Sequence, residues 1–187
     1  MALRAYILRS DFSVDSARPV ALETLDALGW KTASLTGSRD LDQSARSLVH
    51  EWGIPLTQED SVVPLDLKKG ADNPPKVAQI LAKIFQFSGA VTFATTVDGA
   101  ILLKTGNTHF DLEDVVSKNW IRMELGPGQI FYIPAGAKLR FTFSDQATNM
   151  AGLAFIKGGL ANAGVVEEKV LDNLTIRGAY LHSVGKI

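Results

Sequence analysis

From Ala90 to Ile156 the chain is written in short runs rich in Val, Ile, Thr and Phe, each cut off by glycine or a polar turn. The runs are Ala90–Val97, Ala100–Thr105, Thr108–Leu112, Trp120–Leu125, Gln129–Ile133, Lys138–Ser144 and Met150–Ile156. Short β-type segments joined by regular turns predict an antiparallel sandwich or small barrel.

The first third is mixed. Arg4 to Leu8 reads as a strand, and Pro19 to Leu28 carries apolar residues at helical spacing before Gly29 stops it. Trp30 to Leu35 alternates like a strand. Asp42 to Trp52 is a second amphipathic helix, with Ala45, Leu48 and Trp52 on one face and Gly53 at its end. The turn Gly70 to Pro75 leads into a third helix, Pro75 to Phe85. No repeat, low-complexity tract or linker interrupts the chain. The expectation is one domain over 1–187: a helical and mixed part over 1–87, a barrel core over 88–158 and a C-terminal extension over 159–187. Gly158 to Gly164 reads as a flexible connector, since it lacks the Lys-Ser/Thr of a phosphate loop.

Composition narrows the partners. Nineteen basic and twenty acidic side chains give a formal net charge of −1, with no dense Lys/Arg stripe, so nucleic acid is not an expected partner. Without cysteine there is no disulfide, thiol nucleophile or Cys-ligated metal. Arg4, Arg9 and Asp11 interrupt the apolar start, and the weakly polar stretch Ile84 to Leu103 contains Gln86, Ser88 and Asp98. A cytoplasmic protein with no membrane partner is expected.

The segment Gly128-Gln-Ile-Phe-Tyr-Ile-Pro134-Ala-Gly136-Ala-Lys-Leu139 reads as a strand, a tight Pro-x-Gly turn and a returning strand, which by itself is a hairpin. Its spacing resembles the second conserved motif of the cupins: glycine, five residues, Pro-x-Gly, two residues, then histidine. Phe110-Asp-Leu-Glu-Asp114, Trp120-Ile-Arg-Met123, Ile133-Pro-Ala-Gly136 and Arg140-Phe-Thr142 look like segments of one cupin family, the acireductone dioxygenases, as does Arg18-Pro-Val-Ala-Leu-Glu23 near the start. The likeness is collinear from about Arg4 to about Gly158. It implies a mainly β fold, a cupin-type antiparallel β-barrel (double-stranded β-helix, or jelly roll) with N-terminal helices. Many cupins pair through an exposed sheet edge, so the resemblance also allows a homodimer.

Members of that family hold a divalent metal with three histidines and a glutamate. Counting back from Phe110 without a gap, Phe93 and Thr95 take the places of the first two histidines and Gly99 that of the glutamate; Leu139 takes the place of the third histidine. None of these is a ligand, apart from a poor threonine hydroxyl, so no metal and no other cofactor is expected. Asp98 is one residue from the glutamate position, and a one-residue slip along a strand turns a side chain to the other face.

Strand alternation extends the set around the vacated centre. Val91 shares a face with Phe93 and Thr95, Ile101 and Leu103 with Gly99, and Phe141 and Phe143 with Leu139. Such a lining suits a hydrophobic small molecule. Two readings of it stay open: the side chains plug the barrel, or they surround a pocket. Thr95 is the expected polar helper, with Tyr132 and His109 behind it, although packing is the more ordinary role for such a tyrosine and a surface or loop position for such a histidine. Arg122 and Arg140 are expected to serve structural ion pairs with Asp111, Glu113 or Glu124. The functional expectation is a metal-independent cupin enzyme catalysing a non-oxidative isomerisation, cyclisation or elimination of a hydrophobic molecule, by confining its reactive conformer. The alternatives are a non-enzymatic small-molecule-binding or interaction protein and, last, a dioxygenase with displaced ligands.

Overall fold

The computed structural model of the chain describes residues 3–68, 71–86, 92–141 and 150–186. In chain order the elements are β1 (Arg4–Leu8), β2 (Val14–Pro19), α1 (Leu22–Ala27), β3 (Thr32–Ser34), α2 (Leu41–Glu51), β4 (Val62–Asp66) and α3 (Pro75–Gln86). There follow β5 (Phe93–Thr95), β6 (Gly99–Thr105), β7 (Thr108–Asp114), β8 (Asn119–Leu125), β9 (Gln129–Ile133), β10 (Leu139–Phe141) and β11 (Ala151–Ile156). The chain closes with β12 (Val165–Glu167), α4 (Glu168–Leu171) and α5 (Thr175–Ser183).

The strands form two antiparallel sheets. The larger runs β12-β5-β10-β7-β8-β1-β2 and the smaller β3-β9-β6-β11-β4. Their inner faces share one core, in which Phe110, Met123, Phe131 and Leu139 pack together. The architecture is mainly β, with antiparallel sheets facing each other, as the glycine-punctuated runs predict. α2 lies outside: Ala45 and Val49 pack on Ala100, Leu102, Ile130 and Phe155 of the smaller sheet's outer face. Asp40 caps that helix by accepting from the Gln43 N–H at 3.0 Å.

The hairpin joining β7 and β8 shows how local chemistry sets register. The Asp114 carboxylate accepts from the N–H groups of Val116 at 2.8 Å and Ser117 at 3.1 Å, closing the turn. The seven pairs from Thr108↔Leu125 to Asp114↔Asn119 then follow without a slip.

Two expectations need correction here. Pro134-Ala135-Gly136 is not a hairpin tip, because β9 belongs to the smaller sheet and β10 to the larger. The turn carries the chain across the barrel between sheets. Gly136 takes φ +78, and a Cβ there would lie 2.4 Å from the Ile176 carbonyl oxygen, so only glycine fits. Nor is Gly158 to Gly164 a loose connector. Leu160–Asn162 form a 3-10 turn, Thr96 N–H donates to the Gly164 carbonyl at 3.0 Å, and β12 adds to the edge of the larger sheet. Beyond it, Arg177 on α5 donates to the Gly136 carbonyl at 3.2 Å and to Glu113 at 2.7 Å, tying the C-terminal residues to the inter-sheet turn.

Candidate functional site

A cavity of about 150 Å³ opens between the two sheets at the end that holds the Pro134–Gly136 turn. β5 presents Phe93 and Thr95 to it, and on β10 Leu139 stands directly opposite Phe93. Phe141, next on that face, pairs with Phe110 of β7, the rings 4.9 Å apart and tilted by 33°. The smaller sheet contributes Gly99, Ile101, Ile133 and Ala154. The roof is α3, whose Val77, Ile80, Leu81 and Ile84 form one helical stripe turned to the cavity. Leu160, Ala163 and Val165 complete one side.

Among the described residues the lining holds two functional polar groups. The Thr95 hydroxyl is buried and has no hydrogen-bond partner, while the residue's backbone carbonyl accepts from Gly136 N–H at 3.1 Å and so is fixed by the turn. An unpaired buried hydroxyl is costly, and native interiors rarely leave one. The second group is Asp98, in the link between β5 and β6. Strand alternation does not hold in a turn, so Asp98 borders the cavity, contrary to the expectation that it faces away. Its oxygens are engaged: one accepts from Ala135 N–H at 3.0 Å, the other from the Lys157 ammonium at 2.9 Å. Burial pushes this carboxyl up, but the Ala135 N–H, Lys157 and the Tyr132 hydroxyl outweigh it and hold it below the ordinary carboxylate value.

The structure therefore brings together Phe93, Thr95, Gly99, Ile101, Leu139 and Phe141 around one space. Leu103 has the expected orientation but lies four residues further along β6, roughly 13 Å away at strand rise, inside solid core. Val91 and Phe143 lie outside the described residues.

Tyr132 and His109 are corrections. Tyr132 pairs with Ala100, on the outer face of the smaller sheet, where its ring meets Trp52 edge-on at 6.3 Å beneath α2. Burial first, then the neighbouring Asp98 carboxylate, push its hydroxyl above the usual phenol range. His109 precedes Phe110, so alternation turns it to the outer face of the larger sheet, opposite Glu124. Burial, with the Arg122 guanidinium, lowers its pKa, and its Nε2 is buried without a partner. Neither ring touches the cavity. The expected ion pair of Arg122 forms instead on that outer face, with Asp111. The sequence reading missed α3, β4 and residues 160–165 as cavity walls.

The lining does not fit a catalytic metal. Among the described residues no three His, Asp or Glu side chains come together. The cavity itself offers one hydroxyl and a carboxylate already paired, whereas an Fe or Ni centre needs several imidazole or carboxylate donors converging on one ion.

No family model and no curated protein matches the chain. Among solved structures it is similar to an acireductone dioxygenase from Bacillus anthracis with a cadmium ion in its active centre, at 14% identity and a TM-score of 0.53, over 84% of this chain and 92% of that one. Procruciferin, an 11S globulin from Brassica napus, aligns over 52% of this chain and 28% of its own at 15% identity, with a TM-score of 0.32 that adds no argument. At such identity the likeness establishes a fold, and the fold is that of a cupin. No helix among the described residues is long and apolar enough to cross a membrane.

Proposed function

We propose that this cupin-fold protein receives a hydrophobic small molecule in the cavity between its sheets and does so without a metal. The observation that carries the reading is the open, apolar space of about 150 Å³ around Phe93, Thr95, Leu139 and Phe141. These include the positions at which the resemblance to acireductone dioxygenases would put histidine ligands. An apolar cavity of this size stays dry and takes a benzene-sized guest. Each Å² of apolar surface withdrawn from water contributes roughly 25 cal/mol.

Small-molecule binding is common to the enzymatic and non-enzymatic readings. A non-oxidative isomerisation, cyclisation or elimination moves a proton, and of the three expected polar helpers only Thr95 borders the cavity. A lone hydroxyl is a weak acid and a weak base, so catalysis here would rest on confinement alone. That favours binding as the function, with conversion of the bound molecule as the second reading.

The test is a thermal-shift titration with benzene, run with and without a metal chelator, alongside elemental analysis. The expected result is stabilisation that grows with benzene concentration and is indifferent to chelator. Absence of stabilisation overturns the binding reading. Close to one iron or nickel per chain, resistant to mild chelation, overturns metal independence.

A further inference from the structure

Inside the cavity one feature is not explained by apolar confinement. Thr95 lines the cavity with its Oγ1 buried and without a partner, and among the described residues every other side chain facing the space is apolar or, like Asp98, already engaged by Ala135 N–H, Lys157 and Tyr132. A valine would fill the same volume without an orphaned hydroxyl. The hydroxyl is also held in place, because β5 is pinned on both sides of it. Thr95 carbonyl accepts from Gly136 N–H, and the next residue binds the Gly164 carbonyl through its N–H at 3.0 Å.

We infer that the ligand is a neutral, single-ring molecule carrying one oxygen function, its hydroxyl or carbonyl meeting Thr95 Oγ1 while the ring fills the apolar remainder. This inference rests on the binding reading above and narrows it. Ring size follows from the volume, which matches a benzene-sized guest. A single oxygen function follows from the single free partner, since a hydroxyl can donate and accept whereas the other walls can do neither. Neutrality follows from the lining: a carboxylate would be desolvated among phenylalanine and aliphatic side chains, and among the described residues no cation lines the cavity to meet it. Lys157 is already on Asp98, whose negative charge borders the same space.

The experiment is calorimetric and thermal-shift binding of benzene, phenol and benzoate to the full chain, repeated on Thr95→Val and Thr95→Ser. Phenol is expected to bind about tenfold tighter than benzene, the difference one hydrogen bond makes, and benzoate not to bind. Thr95→Val should erase the phenol preference while keeping benzene binding, and that retained binding certifies the folded pocket. Thr95→Ser, which keeps the hydroxyl, should preserve the preference. Phenol no tighter than benzene on the parent protein, a phenol preference that survives Thr95→Val, or benzoate binding as well as phenol each overturns the inference and leaves the apolar pocket standing. Failure of both benzene and phenol to bind overturns the pocket reading itself.

Discussion

On β7 and β10 the residues Phe110, Leu139 and Phe141 face the cavity, while Asp111 and Arg140, their immediate chain neighbours, face the other way. On the outer face Asp111, Arg122 and Arg140 are all engaged, although the buried His109 Nε2 has no partner. Arg122 grips both oxygens of Asp111, at 2.7 and 2.8 Å, and Arg140 lies 3.7 Å from the Trp120 ring centre and 4.5 Å from that of Phe12 while donating to the Thr92 hydroxyl. On the inner face the Thr95 hydroxyl stands alone among the apolar side chains of the cavity, and further along β7 the Thr108 hydroxyl is likewise without a partner. The same strands thus differ by face: the outer chemistry fastens strand to strand, and the inner face borders the cavity. Charged residues in the matching family segments are for this reason poor guides to a binding site here.

The largest expected effect comes from breaking the outer face. Asp111 is 3% exposed, so Arg122→Ala leaves a buried carboxylate without its cation. Removing one partner of such a pair costs about 3–5 kcal/mol. Denaturant unfolding should show that loss. A change under 1 kcal/mol would mean that the ion pair adds little and that the two faces differ less than their geometry says.

On the inner face, Leu139→Ala enlarges the cavity. Leu139 already lacks packing partners on the cavity side, so the cost should lie toward the low end of the usual range for such truncations, about 2–3 kcal/mol. The variant should accept a two-ring guest such as naphthalene that the parent protein excludes. Equal binding of naphthalene by both proteins would show that the walls, α3 among them, do not set the size limit.

These two faces also mark how far the sequence can be read. Alternation is a local rule, and it placed Phe93, Thr95, Gly99, Ile101, Leu139 and Phe141 on one surface because each sits in a regular strand. Applied consistently, it would have excluded Tyr132, since Ile133 points inward, and His109, since Phe110 does. Asp98 escaped it by sitting in a turn. The walls that went unread are tertiary. The stripe Val77, Ile80, Leu81, Ile84 announces a buried helix face but not what it covers. β12 has three residues and β4 carries Pro64 at a sheet edge, so both are short or irregular where strand signals are weakest. The order of strands in the two sheets, which turns Pro134–Gly136 into a crossing between them, is set by pairings such as β11 with β4 that are remote in sequence.

A smaller effect on stability separates an open cavity from a plugged one. Thr95→Leu adds apolar volume toward the space and removes the orphaned hydroxyl. With the space open, unfolding free energy should stay within about 1 kcal/mol of the parent, because filling offsets any strain, and benzene binding should vanish. Overpacking of a filled core instead costs ~1–3 kcal/mol. A destabilised Thr95→Leu protein, from a parent that shows no response to benzene, would leave the barrel as scaffold.

The smallest effect sharpens the contrast between the faces by pH. On the outer face His109 has a lowered pKa, through burial first and then the Arg122 guanidinium, against the opposing pull of Asp111 and Glu124. A histidine depressed in the folded protein is protonated more readily when unfolded, so the unfolded chain binds more protons between the two values. Stability from this group is therefore complete above the unfolded value of about 6.5 and declines as pH falls below it, levelling off under the folded value. His109→Gln, neutral throughout, should flatten that part of the stability curve by comparison with the parent. Benzene binding should not follow, because Asp98, the only titrating group lining the cavity among the described residues, is held below the ordinary carboxylate value and stays ionised across this range. Unfolding curves and benzene titrations at matched pH between about 5 and 7.5 measure both. Parallel slopes in stability for parent and variant would remove His109 as the cause, and a benzene affinity that tracks pH would show that the outer charges reach the cavity after all.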